Sequence, residues 1–142
     1  MASLAIRSEV EAADFYSKLW DRVKNILLQQ KLKFLVLEEK KHRKLLERLY
    51  AERFPGRELN VPENVARPRL PAAVDEKASV LDLFKVALKA EKFAEEFYAE
   101  ARKKAGAASS KKMLEYLSRV ERSHYFLIKA EIDLLSRFPD YY

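Results

Sequence analysis

Apolar and polar positions alternate along most of this chain with the spacing of an α-helix. Apolar residues recur at three- and four-residue intervals over residues 3 to about 25, 28 to 54, 79 to 104 and 109 to 137. Stripes of this kind are typical of helices that bury one face. The 142 residues include only two glycines and five prolines, which also favours helix over sheet. The pattern therefore predicts an all-α protein with four long helices.

The connections predict how these helices pair. Residues 55–78 hold four of the five prolines, so this segment cannot be helical throughout. We therefore predict one domain, residues 1–142, that contains two helical hairpins, 3–54 and 79–137, joined by a long crossover. This is the connectivity of a ferritin-like four-helix bundle. The turn between the first two helices, near residues 24–30, has no strong breaker.

Short polar residues and glycine mark the other helix ends. Asp75 or Ser79 is expected to cap the third helix, and Ser109 or Ser110 the fourth. Gly106 suits the position just after the third helix.

The two hairpins repeat one another in a single constant register. Glu9, Ala12, Phe15 and Tyr16 align with Glu91, Ala94, Phe97 and Tyr98, and Leu32, Leu35, Glu39, His42 and Leu45 align with Leu114, Leu117, Glu121, His124 and Leu127. The chain has two histidines, and each follows a glutamate by three residues. Coincidence explains this poorly, so we interpret the chain as a duplicated hairpin.

The repeated polar residues fall inside the apolar stripes. Residues three apart share a helix face, so Glu39 can reach the same point as His42, and Glu121 the same point as His124. Glu9 and Glu91 lie at similar distances from their turns. Buried ionised carboxylates are strongly disfavoured unless cations compensate them. The sequence therefore predicts two metal ions held by six residues: Glu9, Glu39, His42, Glu91, Glu121 and His124. Carboxylates with one imidazole per ion suit iron or manganese better than structural zinc or calcium.

With this duplicated Glu and Glu-x-x-His pattern, the sequence resembles the rubrerythrin branch of the ferritin-like di-iron carboxylate superfamily. The resemblance covers both hairpins. It implies two iron ions, although manganese or another divalent metal fits the same ligands, with Glu39 and Glu121 as bridging and Glu9 and Glu91 as terminal carboxylates. It further implies a homodimer that reduces hydrogen peroxide or dioxygen.

Two departures from the family change the expectation. Rubrerythrins usually carry a four-cysteine rubredoxin-like domain, and this chain has no cysteine, so we expect an external electron donor. Rubrerythrins also have a further glutamate where this chain has Ala94, and Glu95 is a candidate substitute.

Several aromatic residues lie close to the predicted site. Tyr16 and Tyr98 follow Glu9 and Glu91 by seven residues, so they either orient ligating carboxylates through hydrogen bonds or simply pack in the core. The aromatic and aliphatic positions expected to serve packing are Phe15, Phe97, Trp20 and residues 34–37. An exposed part of residues 34–37 is a candidate dimer surface.

Charge and composition narrow the function. The net charge is +6, but the cations are spread along every helix among acids, so no nucleic-acid partner is expected. The N-terminus contains neither a signal peptide nor a membrane span, and we expect a cytoplasmic protein without a membrane partner.

The leading hypothesis is an oxidoreductase with a di-iron centre. The alternatives are a ferroxidase or iron-handling protein, a manganese catalase-like protein, and a helical binding module whose metal site is structural or vestigial. The C-terminal sequence FPDYY has no functional explanation.

Overall fold

Four helices make up the computed structural model, which describes residues 2–57 and 77–142. They are α1 (Ala2–Arg22), α2 (Ile26–Arg53), α3 (Val80–Lys104) and α4 (Ala108–Arg137). The described residues contain no strand. α1 packs against α2 in one compact unit, and α3 packs against α4 in the other. Apart from residues 55–57 and 77–78, the predicted crossover lies outside the described residues.

Polar caps define the starts of two helices. The Asn25 side chain accepts a hydrogen bond from the Leu28 N–H at 3.1 Å. α1 thus ends earlier and α2 begins earlier than the apolar pattern predicted, with only three residues between them. Ser79 caps α3 by accepting from the Asp82 N–H at 3.0 Å, and Asp75 lies outside the described residues.

The turn between α3 and α4 differs from its prediction. Neither Ser109 nor Ser110 caps α4, because the helix begins before them at Ala108, and Ala107 offers no side-chain acceptor. Gly106 follows α3 as expected but does not adopt a positive φ. Within the described residues the left-handed glycine is Gly56, after α2, with φ of 75°.

The apolar stripes point inward and keep the register of the repeat. Buried in both copies are the pairs Ala5 and Ala87, Tyr16 and Tyr98, Leu19 and Ala101, Leu32 and Leu114, Leu35 and Leu117, and Leu46 and Ile128. Each hairpin therefore contributes an aliphatic layer from its second helix and an aromatic ring from its first. No helix in the described part of the chain is long and apolar enough to cross a membrane.

The packing assignments of the remaining aromatic residues are partly wrong. Phe15 and Leu35 are buried as expected, but Trp20, Phe34 and Leu37 are exposed at 41%, 48% and 51%. These three side chains point away from the buried stripes of their helices, so the prediction of burial from their apolar character was wrong.

Candidate metal centre

Three buried side chains of α1 and α2 form a cluster, here called the first triad: Glu9, Glu39 and His42. The His42 Nδ1 atom lies 3.5 Å from a Glu9 carboxylate oxygen and 3.8 Å from a Glu39 carboxylate oxygen. Glu39 and His42 are three residues apart on α2, and the short turn after α1 brings Glu9 against them.

The second hairpin repeats this arrangement with Glu91, Glu121 and His124, here called the second triad. The His124 Nδ1 atom lies 3.4 Å from a Glu121 oxygen and 3.7 Å from a Glu91 oxygen. All three residues are buried, as in the first triad. Two copies of one hairpin thus produce two triads of the same composition.

Each triad has the geometry of a set of metal ligands. In both triads the two carboxylates and the imidazole offer ligand atoms that lie within 4.8 Å of one another. Oxygen and imidazole nitrogen donors at this spacing can surround a divalent ion of the first transition series. The described Glu and His groups can therefore hold metal.

The electrostatics of the second triad indicate that cations are needed there. Burial, followed by repulsion from the Glu121 carboxylate, raises the pKa of Glu91 well above its usual value. Burial by itself would lower the pKa of His124, but hydrogen bonding and charge attraction to Glu121 and Glu91 raise it to about 9. Without metal the triad must therefore retain protons, and a bound divalent ion would take their place.

The other candidate site residues differ in their placement. Tyr16 and Tyr98 are fully or almost fully buried, each with its ring edge-on to the preceding phenylalanine. Glu95, by contrast, directs a carboxylate oxygen to the Lys92 ammonium at 3.5 Å, and Lys92 is half exposed. Among the described residues, Glu95 is not in either group of potential metal ligands.

A fifth buried acid among the described residues, Glu131 on α4, is absent from the sequence-based set. It is 1% exposed and lies seven residues after His124, two turns further along the same helix face. The sequence does indicate that position 131 is buried, because residues 128, 131 and 135 continue the spacing of the buried stripe on α4. The repeat gives no indication of it, since the corresponding position holds Leu49.

The four-helix all-α fold and the paired Glu and His clusters define a ferritin-like carboxylate protein that can bind metal. The sequence profile of the rubrerythrin family matches residues 3–132, and the chain belongs to this family. Its fold is also that of a solved hypothetical protein from Pyrococcus furiosus, with 35% sequence identity and a TM-score of 0.89. The match covers 96% of this chain and 89% of that one. No match was found among curated proteins. The predicted family and fold class are confirmed.

Proposed function

We propose that this protein is a di-iron oxidoreductase that reduces hydrogen peroxide or dioxygen. The observation that carries the proposal is the duplicated triad: two buried carboxylates and a buried imidazole occur in each hairpin. Six such groups would destabilise a core without metal, because each costs free energy when buried without compensation. Membership of the rubrerythrin family supports the same interpretation.

Each triad is proposed to hold one iron ion. His42 would bind one ion and His124 the other, each through an imidazole nitrogen, while Glu9 and Glu91 would bind as terminal carboxylates. Glu39 and Glu121 would supply the remaining carboxylate ligands. Manganese fits the same donor set, and the metal ions would supply redox and Lewis-acid chemistry to a bound oxidant.

The proposed reaction balances with two electrons. Two ferrous ions would supply two electrons to hydrogen peroxide, which with two protons from the medium would give two water molecules as its O–O bond breaks. The ions would then be ferric, so an external donor would have to return two electrons. The apolar layers around the triads would keep bulk water away from the site.

Tyr16 and Tyr98 are proposed to orient carboxylates of the triads. Both phenols are buried, on the same helix faces as Glu9 and Glu91. A hydrogen bond from a phenol to a ligating carboxylate would fix the rotamer of that carboxylate. Assembly as a homodimer and a cytoplasmic location stay predictions.

Elemental analysis of protein purified without added metal, followed by single-turnover oxidation, tests the proposed function. We expect two iron or manganese ions per chain, and faster oxidation of the di-ferrous protein by one equivalent of peroxide than by air. Metal-loaded Glu96→Gln, altered at an exposed position on α3, is the matched control and should react normally.

Three results would contradict the proposal in different ways. Protein that contains no metal and melts identically with and without chelator would indicate a binding module with a vestigial site. Metal-loaded protein that reacts with neither oxidant would exclude the redox function. Sustained turnover of added Fe(II) would instead favour a ferroxidase.

A further inference from the structure

The outer surface of α2 carries a cluster of exposed cations, here called the basic face. Its cations are Lys33, Lys40, Lys41, Arg43, Lys44 and Arg48. Two large exposed apolar side chains, Phe34 and Leu37, lie beside them. A shallow groove on this surface is lined by Phe34, Leu37, Glu38, Lys40, Lys41, Arg43, Lys44 and Glu47. The basic face thus places a small apolar patch next to cations that outnumber the acids of the groove.

The basic face lies behind the ligands of the first triad on the same helix. Lys40 and Lys44 each lie two residues from His42, so they are about 160° around the helix from it and within about 3 Å of its level. An α-helix with its side chains is about 10–12 Å across. Only one helix therefore separates this surface from Glu39 and His42.

Much of the charge on the basic face is not neutralised by acids. Arg43 pairs with Glu47 at 2.8 Å, and Lys41 lies 3.7 Å from Glu38. Within residues 2–57 and 77–142, Lys40 and Lys44 have no ion pair, and both are exposed. This leaves positive potential on the surface nearest to the first triad.

The repeat allows the basic face of α2 to be compared with the aligned positions of α4. The positions that it aligns with the six cations of the basic face hold Glu115, Arg122, Ser123, Tyr125, Phe126 and Ala130, so only Arg122 is still a cation. The ligands and buried leucines on the inner faces of the same two helices are kept in both copies. The positive charge is therefore specific to α2, and a general need for a solvated helix surface does not explain it.

From these observations we propose that the basic face docks an acidic electron-carrier protein, which returns electrons to the metal centre after each turnover. The inference rests on the proposed redox function, because only that function needs a donor. Charge complementarity selects an acidic partner and would accelerate its encounter. An apolar patch of two side chains beside exposed charges suits the small, transient interfaces of electron-transfer complexes.

The electron balance requires two encounters with a one-electron carrier. In each encounter a reduced carrier is oxidised and one ferric ion becomes ferrous, so two carriers restore the di-ferrous state. No bond between the two proteins forms or breaks, and the complex must dissociate between encounters. A weak interface that depends on charge meets this requirement better than a large apolar one.

Stopped-flow reduction of the oxidised, metal-loaded full chain tests the docking surface, with reduced plant-type ferredoxin as an acidic iron–sulfur probe. In the variant Lys40→Glu/Lys44→Glu we expect the second-order rate constant at low ionic strength to fall at least about tenfold, and in the wild type to fall as salt is added. The matched control is Arg119→Glu/Arg122→Glu on α4, which changes net charge equally at exposed positions and should stay within about twofold of wild type.

Reduction of the same proteins by dithionite separates docking from the chemistry of the centre. We expect equal dithionite rates for the wild type and both double variants. Equal loss of ferredoxin reduction in both variants, or no loss in either, would overturn the docking inference while leaving the proposed function intact. So would sedimentation showing that the wild type is dimeric and Lys40→Glu/Lys44→Glu monomeric, because the face would then be covered by a second copy. Wild-type protein that binds no metal would overturn both.

Discussion

Exchanging Glu91 and Glu121 for glutamine is expected to remove at least one metal ion per chain, together with the stability that this ion adds. Both carboxylates are buried in the second triad, and the pKa of Glu91 is raised by burial and by its neighbour Glu121. Neutral amides of the same size remove this repulsion, but they also remove the charge attraction that raises the pKa of His124, so the two effects oppose each other in the metal-free protein. The amides also remove two anionic ligands, so at least one ion per chain should be lost.

Urea denaturation with and without added Fe(II), together with elemental analysis, measures both effects. In the wild type, metal at 100 times its dissociation constant should add about 2.7 kcal/mol to stability for each site, and in Glu91→Gln/Glu121→Gln the gain from at least one site should disappear. The control Glu96→Gln/Glu100→Gln removes the same charge from exposed positions of α3 and should retain its metal. A variant that keeps all its metal and the full gain in stability would contradict the assignment of Glu91 and Glu121 as ligands.

Removing the metal is expected to cost more stability at pH 9 than at pH 6. His124 has a pKa of about 9 in the folded protein and about 6.5 when unfolded, so its contribution is complete below pH 6.5 and is lost as the pH rises through 9. A shift of this size corresponds to about 3 kcal/mol. Glu91 acts in the same direction, because its pKa is raised in the folded protein, so stability is lost as the pH rises above about 4.5, where the carboxyl ionises in the unfolded chain. Metal binds to the deprotonated ligands, so its stabilising effect grows over the same range.

Chemical denaturation of chelator-treated and metal-loaded protein at several pH values checks this dependence. The stability of the metal-free protein should fall between pH 6 and 9, and the gap to the metal-loaded protein should widen. In His124→Gln the fall between pH 6.5 and 9 should be much smaller. A gap that does not change with pH would show that protons do not compete with metal at the triad.

Helices and triads were predictable from the sequence because each leaves a periodic signal. A stripe of leucines at three- and four-residue spacing fixes the buried face of α2 and α4, and Glu39 and His42 fall within that stripe. The constant register between the hairpins then identified the same face a second time. Periodicity and duplication together specify which side chains share an interior.

Features that depend on a single local contact were not predictable in the same way. Asn25 caps α2 through one hydrogen bond, and the apolar pattern continues past it without a break. Glu95 pairs with Lys92. Helical spacing alone does not distinguish this ion pair from a position beside the second triad. Glu131 occupies a buried position in only one copy, so the repeat, which was the strongest guide to the site, conceals it.

The bounds of the helices give each hairpin two arms of equal length. The number of residues from Glu9 to the end of α1 equals the number from the start of α2 to Glu39. The same number separates Glu91 from the end of α3, and the start of α4 from Glu121. Each arm is about 20 Å long. An inserted residue within an arm would displace its carboxylate by about 1.5 Å and rotate it by about 100°. Changes of length in this family should therefore be tolerated in the turns and excluded from the four arms.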